Sequence, residues 1–223
     1  MHKLSECGKI HDMKKQCYIV GAGEYTGNYV QDSKDLIIAA DGGYLRLVEA
    51  GIRPDIVVGD FDSLGFIPNL RNVHQSPVEK DETDLHLAIN IALKEGIDSF
   101  IIDGGLGGRP DLTMANYQII SGLSKSGVRA ILLGKDMNVT AVTDGIVSFD
   151  PSDNGRVSVF SMTEFSSDVS ISGLKYPLNN AKLTNAYPLG VSNEFCGQGG
   201  TICVGSGTLL IMWEGKYDLC SYE

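Results

Sequence analysis

Carboxylates dominate the residues able to do chemistry in this chain, and they recur where apolar runs stop. In "IVVGDFDSLG", residues 56–65, Asp60 and Asp62 flank Phe61 directly after a β-branched run. Asp41 follows "LIIAA" and Asp103 follows "FII", each ahead of two glycines, while Asp81 and Asp84 open one helical pattern and Asp111 another. Continued as a strand, the run from Ile56 would turn Asp60 and Asp62 to one side and Phe61 into the core. Ligands of open α/β sheets bind beyond the carboxyl ends of the strands. Seven carboxylates (Asp41, Asp60, Asp62, Asp81, Asp84, Asp103 and Asp111) would therefore meet at one edge. Their mutual repulsion asks for a counter-charge.

A hard divalent cation supplies one. Mg²⁺ takes one or two carboxylates and completes its octahedron with water and phosphate oxygens. Arg109 and Lys80, in the neighbouring loops, add the positive charge a polyphosphate needs, and Gly59 is expected to keep the backbone slim where phosphate approaches. Taken singly, each acid has an ordinary reading as a helix-dipole partner or a turn residue. The conjunction points to a Mg²⁺–phosphate site.

The elements that must position these acids alternate in type. "CYIV", "LIIAA", "DIVVGD", "FIID" and "RAILLG" read as buried strands. "YLRLVEAG", "TDLHLAINIALKEG" and "DLTMANYQIISGLSKSG" read as helices, with Thr83 an N-cap and Gly51, Gly96 and Gly127 at the C-terminal ends. Continuous apolar strands alternating with helices predict a parallel sheet covered on both faces. From about residue 138 the texture changes to short alternating runs ("RVSVFSM", "DVSISG", "AKLTNA", "TICVGS", "TLLIMWE") separated by turn residues. The predicted fold class is an N-terminal three-layer α/β domain followed by a C-terminal antiparallel β-sandwich. The expected divisions are a flexible leader over 1–15, a catalytic α/β domain over 16–140 and a β domain over 141–223.

Composition narrows the function classes. The chain has 223 residues, 43% of them hydrophobic, and a net charge of −10. No basic block exists to displace counterions, which argues against a nucleic-acid groove. No apolar run reaches the length of a membrane helix, and the first fifteen residues carry no signal-peptide core. Five cysteines (Cys7, Cys17, Cys196, Cys203, Cys220) form no CxxC pair, and four histidines (His2, His11, His74, His86) show no ligand spacing. A reduced, cytoplasmic setting is expected.

Three functional alternatives share parts of this pattern. "GAGEYTG" with Asp41 about twenty residues on resembles a dinucleotide fingerprint, but its third glycine falls one position late. "DFDSL" resembles the nucleophile motif of haloacid-dehalogenase-like phosphatases. It follows the third strand instead of the first, however, with Leu64 where Thr or Val is expected. A non-catalytic nucleotide or vitamin sensor is the third.

The ordered set "ADGGYLRL", "GIRPDIVVGDFDSLG", "KDETDLHLAI", "DGGLGGRPD", "GLKYPL" and "GVSNEF" closely resembles the thiamine pyrophosphokinase (thiamine diphosphokinase) family from about Cys17 to Trp213. The resemblance implies Mg²⁺-dependent transfer of a pyrophosphoryl group from ATP to the thiamine hydroxyl, giving thiamine diphosphate and AMP. It also implies a homodimer with thiamine at the subunit interface. Asp60, Asp62 and Asp84 match the family's Mg²⁺-associated acids. Asp41, Gly42, Lys80, Asp81, Arg109 and Asp111 match positions around the ATP phosphates and nucleotide, and Asp81 or Asp111 could accept the hydroxyl proton. Ser192 and Asn193 match the thiamine-contacting segment. Trp213 matches a thiazolium-stacking aromatic, beside its other reading as the sole tryptophan filling the β-domain core. Pro110 and Leu112 depart from the family pattern, Leu112 standing where a histidine is usual.

Overall fold

The computed structural model describes residues 15–77, 82–152 and 154–222. Lys80 and Asp81, residues 1–14 of the expected leader, Cys7, His2 and His11 lie outside the described residues.

Up to residue 132 the order is β1 (Cys17–Val20), β2 (Leu36–Ala40), α1 (Gly43–Glu49), β3 (Ile56–Gly59), β4 (Val73–Gln75), α2 (Asp84–Lys94), β5 (Ser99–Asp103), α3 (Pro110–Lys125) and β6 (Arg129–Leu132). The second half carries β7 (Asn138–Thr143), β8 (Ile146–Phe149), β9 (Arg156–Ser161), β10 (Phe165–Ser172), β11 (Leu178–Thr184), β12 (Gly190–Glu194), β13 (Gly200–Cys203), β14 (Thr208–Trp213), a 3₁₀ turn at Tyr217–Leu219, and β15 (Cys220–Tyr222).

Strands β1 to β6 pair in parallel in the spatial order β6-β5-β1-β2-β3-β4. Chain progression runs outward from β1 through β2, β3 and β4, then restarts on its other side at β5. The gap between β1 and β5 is therefore the switch point where ligands of such sheets bind. Helices α2 and α3 cover one face, burying Leu85, Ala88, Ile89, Ala92 and Ile120 against Ile19, Ile38, Val58, Phe100 and Ile102. Helix α1 covers the other through Leu47.

The sheet does not stop at the expected domain boundary. Strand β7 pairs antiparallel with β6, Ile131 opposite Thr140 and Leu132 opposite Val139. Beyond it β14, β9 and β12 extend the same sheet to ten strands. A second, five-stranded antiparallel sheet in the order β11-β10-β13-β8-β15 stacks on this extension. Val157, Val159, Leu209, Ile211 and Trp213 face Val147, Phe149, Val169, Ile171 and Ile202 in that core. The β-sandwich of the second half thus has one layer continuous with the α/β sheet. Strands β4, β12 and β15 were not among the runs readable as strands. Strand β4, "VHQ", is an exposed edge with no apolar alternation, and β15 is a short strand at the chain's end.

Candidate functional site

The acid-bearing loops start where β2 and β3 end. Asp41 leaves β2 with φ of 48°, its amide donating to Val58 O at 2.7 Å and its Oδ1 accepting from Ser63 Oγ at 2.8 Å. That hydroxyl, inside the "DFDSL" motif, ties the loop after β3 to the end of β2. A Cβ on Gly59 would sit 3.2 Å from Asp41 Cα. Gly59 therefore permits the two strand ends to close on each other.

Strand alternation is also not what separates Phe61 from its neighbours, because β3 ends at Gly59. Phe61 adopts φ of +64°, a region that bulky residues avoid, while its ring is only 3% exposed in the core. Burial of the ring holds the backbone there. Asp62 N then donates to Asp60 Oδ1 at 3.0 Å, which leaves Asp60 half-buried and Asp62 exposed to solvent. The two acids do project away from Phe61, through a strained turn instead of a pleat.

Asp84 reaches the same edge from α2. Thr83 caps the helix, its Oγ1 accepting from His86 N at 3.2 Å, so Asp84 sits in the first turn where the helix dipole favours a negative charge. Ser76 links it to the strand ends: Ser76 N donates to Gly59 O at 3.0 Å and Ser76 Oγ to Asp84 Oδ1 at 3.4 Å. Nothing in the sequence around Ser76 marks that role. Asp41, Asp60, Asp62 and Asp84 are thereby joined through two serines along one sheet edge.

Asp103 does not join them. Its side chain is fully buried and surrounded by donors, so it cannot present charge to a cation in the crevice. Arg109 and Asp111 stand exposed at the start of α3 and pair with each other, Nη2 to Oδ2 at 2.5 Å and Nε to Oδ1 at 3.2 Å. The hydrogen bonds from Arg109 hold the Asp111 carboxyl below the usual carboxylate range, and Asp111 raises the guanidinium in return.

At the switch point lies a cavity of about 600 Å³, lined by Ala22, Gly23, Glu24 and Tyr25 after β1, Arg46 and Glu49 of α1, Gly108 after β5, and Lys135. Gly42 adjoins it, since a Cβ there would lie 3.3 Å from Ala22 Cβ. Gly42 and Arg109 at its border are legible in the sequence, whereas Tyr25, Arg46 and Lys135 are not, because they come from separate loops and a helix that only the fold brings together.

In the second half the two motifs "GLKYPL" and "GVSNEF" meet. Asn193, 5% exposed, accepts from Tyr176 N at 2.9 Å and donates to Tyr176 O at 2.7 Å. Lys175 pairs with Glu194 at 2.8 Å. Ser192 is exposed at φ of 61°, its amide on Ser158 Oγ at 3.1 Å. Asn193 thus clamps the Tyr176 segment while Ser192 faces solvent. Trp213 is 0% exposed, its indole N–H donates to Lys216 O at 2.9 Å, and its ring meets Phe149 edge-on at 5.6 Å between centroids. Of its two sequence readings, the core-filling one describes where it sits.

Whether the edge suits Mg²⁺ can be judged from its donors. Asp60, Asp62 and Asp84 are hard oxygen ligands, and the Ser76 link keeps Asp84 beside the strand end that carries Asp60. Among the described residues no three His, Cys, Asp or Glu side chains close into a metal cage. That fits an ion bound by one or two carboxylates and completed by phosphate and water, not an all-protein cage. Among the described residues no helix is long and apolar enough to cross a membrane.

Two family models match the chain: thiamin pyrophosphokinase, catalytic domain, over residues 28–132, and thiamin pyrophosphokinase, vitamin B1 binding domain, over residues 146–209. A thiamine pyrophosphokinase of Bacillus subtilis (strain 168) is 32% identical over 188 residues, covering 81% of this chain and 88% of that protein. The solved structure of a Bacillus subtilis thiamine pyrophosphokinase superposes with a TM-score of 0.79 at 31% identity, covering 90% of this chain and 99% of that one. A Geobacillus thermodenitrificans thiamin pyrophosphokinase superposes with a TM-score of 0.77 at 24% identity, covering 92% and 99%, which bears on fold alone. With both halves matched in order and the strand-end acids on one edge, the chain belongs to the thiamine pyrophosphokinase family.

Proposed function

We propose that this enzyme transfers a pyrophosphoryl group from ATP to the hydroxyl of thiamine, giving thiamine diphosphate and AMP. The observation that carries the reading is the line of Asp41, Asp60, Asp62 and Asp84 joined through Ser63 and Ser76, beside a cavity of about 600 Å³ at the sheet's switch point. Asp60, Asp62 and Asp84 are the candidate ligands of Mg²⁺, one or two of them binding it directly, and the ion when bound would neutralise charge on the ATP phosphates. The cavity, bordered by Gly42, takes the nucleoside, and Asp41 orders the loop between cavity and phosphates.

Transfer to an alcohol needs in-line geometry and charge neutralisation more than covalent help. Arg109 lies exposed beside Gly108 at the cavity's rim, where its guanidinium can turn from Asp111 to the phosphates. Lys80 is assigned to the same clamp. While the Arg109 pair lasts, Asp111 is a weak base, because its carboxyl is held below the usual range. Asp81, and Asp111 once Arg109 has turned to the phosphates, are the candidate acceptors of the hydroxyl proton as the oxygen attacks the β-phosphorus. The segment of Ser192 and Asn193 receives thiamine, Asn193 by holding Tyr176 in place. A homodimer in the cytoplasm completes the reading, with sedimentation at twice the 24.0 kDa chain mass as its check.

The decisive experiment is product analysis after mixing protein, ATP, Mg²⁺ and thiamine. AMP and thiamine diphosphate in equal amounts support the reading; ADP, or free phosphate alone, overturns it. Mn²⁺ binding followed by electron paramagnetic resonance tests the metal set separately. Asp60→Asn and Asp62→Asn should each weaken it, and unchanged binding in both would remove these residues from the site.

A further inference from the structure

Asp103 closes strand β5 with a carboxylate that the reaction does not use directly. It is 0% exposed, and five donors converge on it. Oδ1 accepts from Thr26 N at 2.8 Å and Gly104 N at 2.9 Å, and Oδ2 accepts from Thr26 Oγ1 at 2.8 Å, Gly27 N at 3.0 Å and Tyr18 OH at 3.2 Å. Three of these donors belong to the far end of the glycine-rich loop after β1, "GAGEYTG". The near end is zipped to the same segment by backbone: Gly21 N to Asp103 O at 2.8 Å, Gly23 N to Gly104 O at 2.9 Å and Glu24 N to Leu106 O at 2.9 Å. Ala22 to Glu24 belong to the zipped stretch and Tyr25 bridges from it to the Asp103 anchor; together these four residues line one wall of the cavity.

An irregular loop with three glycines has little shape of its own, and its ordering entropy must be met before a ligand arrives or when it binds. Charge-assisted hydrogen bonds are about twice as strong as neutral ones, and their acceptor here is shielded from water. We propose that Asp103 is a positioning residue that pre-shapes the Gly21–Gly27 loop for the nucleotide of ATP, acting through Thr26 and Gly27 without touching substrate. This assignment rests on the pyrophosphoryl-transfer reading, because that reading places the nucleoside in the cavity.

The test compares Thr26→Val, Thr26→Ser and Asp103→Asn with wild type by ATP titration calorimetry and by separate KM values for ATP and thiamine. Thr26→Val removes one donor and leaves Asp103 in place, so it keeps the test open if Asp103→Asn, which turns an acceptor into a donor facing donors, fails to fold. Thr26→Val should weaken ATP binding and raise its KM about tenfold, with the thiamine KM and kcat within about twofold. Thr26→Ser, which restores the hydroxyl, should recover wild-type values. Equal affinity for ATP in wild type and Thr26→Val overturns the proposal, as does an equal rise in both KM values. Calorimetry separates the two readings: wild type that binds ATP but makes no thiamine diphosphate refutes the transfer, while the comparison of variants still tests Asp103.

Discussion

Single residues in this chain do work that their neighbours in sequence do not announce. Phe61 was readable as a core residue between two acids, but its positive φ was not, because local sequence does not encode the burial that forces it. Asp103 resembled the other strand-end acids in every sequence respect. Only the return of Thr26 and Gly27 over it, 77 and 76 residues away in the chain, separates an acid that orders a loop from acids that face solvent. Trp213 shows the same limit from the opposite direction: an aromatic in a substrate-binding half could be stacking surface or core. Its indole is fully buried against Phe149 with its N–H satisfied by Lys216 O. Trp213→Ala should therefore lower the unfolding free energy by about 3–5 kcal/mol, the usual cost of emptying a large aromatic site. Trp213→Phe should retain most of the thiamine affinity, measured on the folded fraction. A selective loss of thiamine binding with unchanged stability would instead make the ring a ligand contact.

Elements were most legible where side-chain pattern and capping agree. Helix α2 carries Thr83 at its start and Leu85, Ala88, Ile89 and Ala92 on one buried face, all visible in the sequence. Strand β4 could not be seen because its identity comes from pairing with β3 at the sheet edge, not from its own three residues. The cap also has a functional consequence. Thr83 fixes the first turn of α2, and that turn carries Asp84 toward Ser76 and the strand ends. Thr83→Ala should cost about 1 kcal/mol of stability through the lost cap, a change readable in the urea midpoint. It should also lower Mn²⁺ affinity, because fraying of the first turn blurs the position of Asp84. Thr83→Ser, which keeps the capping oxygen, should restore both. Restored stability without restored metal affinity would detach the cap from the metal site.

At the scale of the whole molecule, burial of ionisable groups sets the alkaline limit. Burial raises the Cys17 thiol and the Tyr18 phenol far above their ordinary ranges, and partial burial pushes the half-buried Cys220 thiol up to about 12 and raises the half-buried Tyr222 phenol further. These groups stay neutral in the folded chain at a pH where the unfolded chain ionises, so the unfolded state binds fewer protons. Stability is full below their ordinary ranges and falls as pH rises through the window, by about 1.4 kcal/mol per pH unit for each group inside it. Melting temperatures should drop steeply above about pH 9, and a flat profile to pH 11 would contradict this burial.

Near residue 140 helical periodicity gives way to short alternating runs, a change of texture that looks like a domain boundary. Strand partners are not visible in such runs, so the continuity of one sheet through β6 and β7 could not be read. That continuity makes a definite claim about cooperativity. Val139, Ala141 and Leu210 from the second half pack into the same core as Ile120 and Leu132 from the first, and Tyr18 shares a core with Trp213. Unfolding one half would strip these side chains and the β6 edge bare, so neither half should melt alone. The molecule supplies its own two probes. Among the described residues every α-helix ends by Lys125, while the sole tryptophan lies in β14. Far-ultraviolet dichroism at the helix band therefore reports the first half and tryptophan fluorescence the second. The two melting curves should superimpose, with the calorimetric and van't Hoff enthalpies equal. Separated midpoints would mean that the halves unfold as independent domains despite their shared sheet.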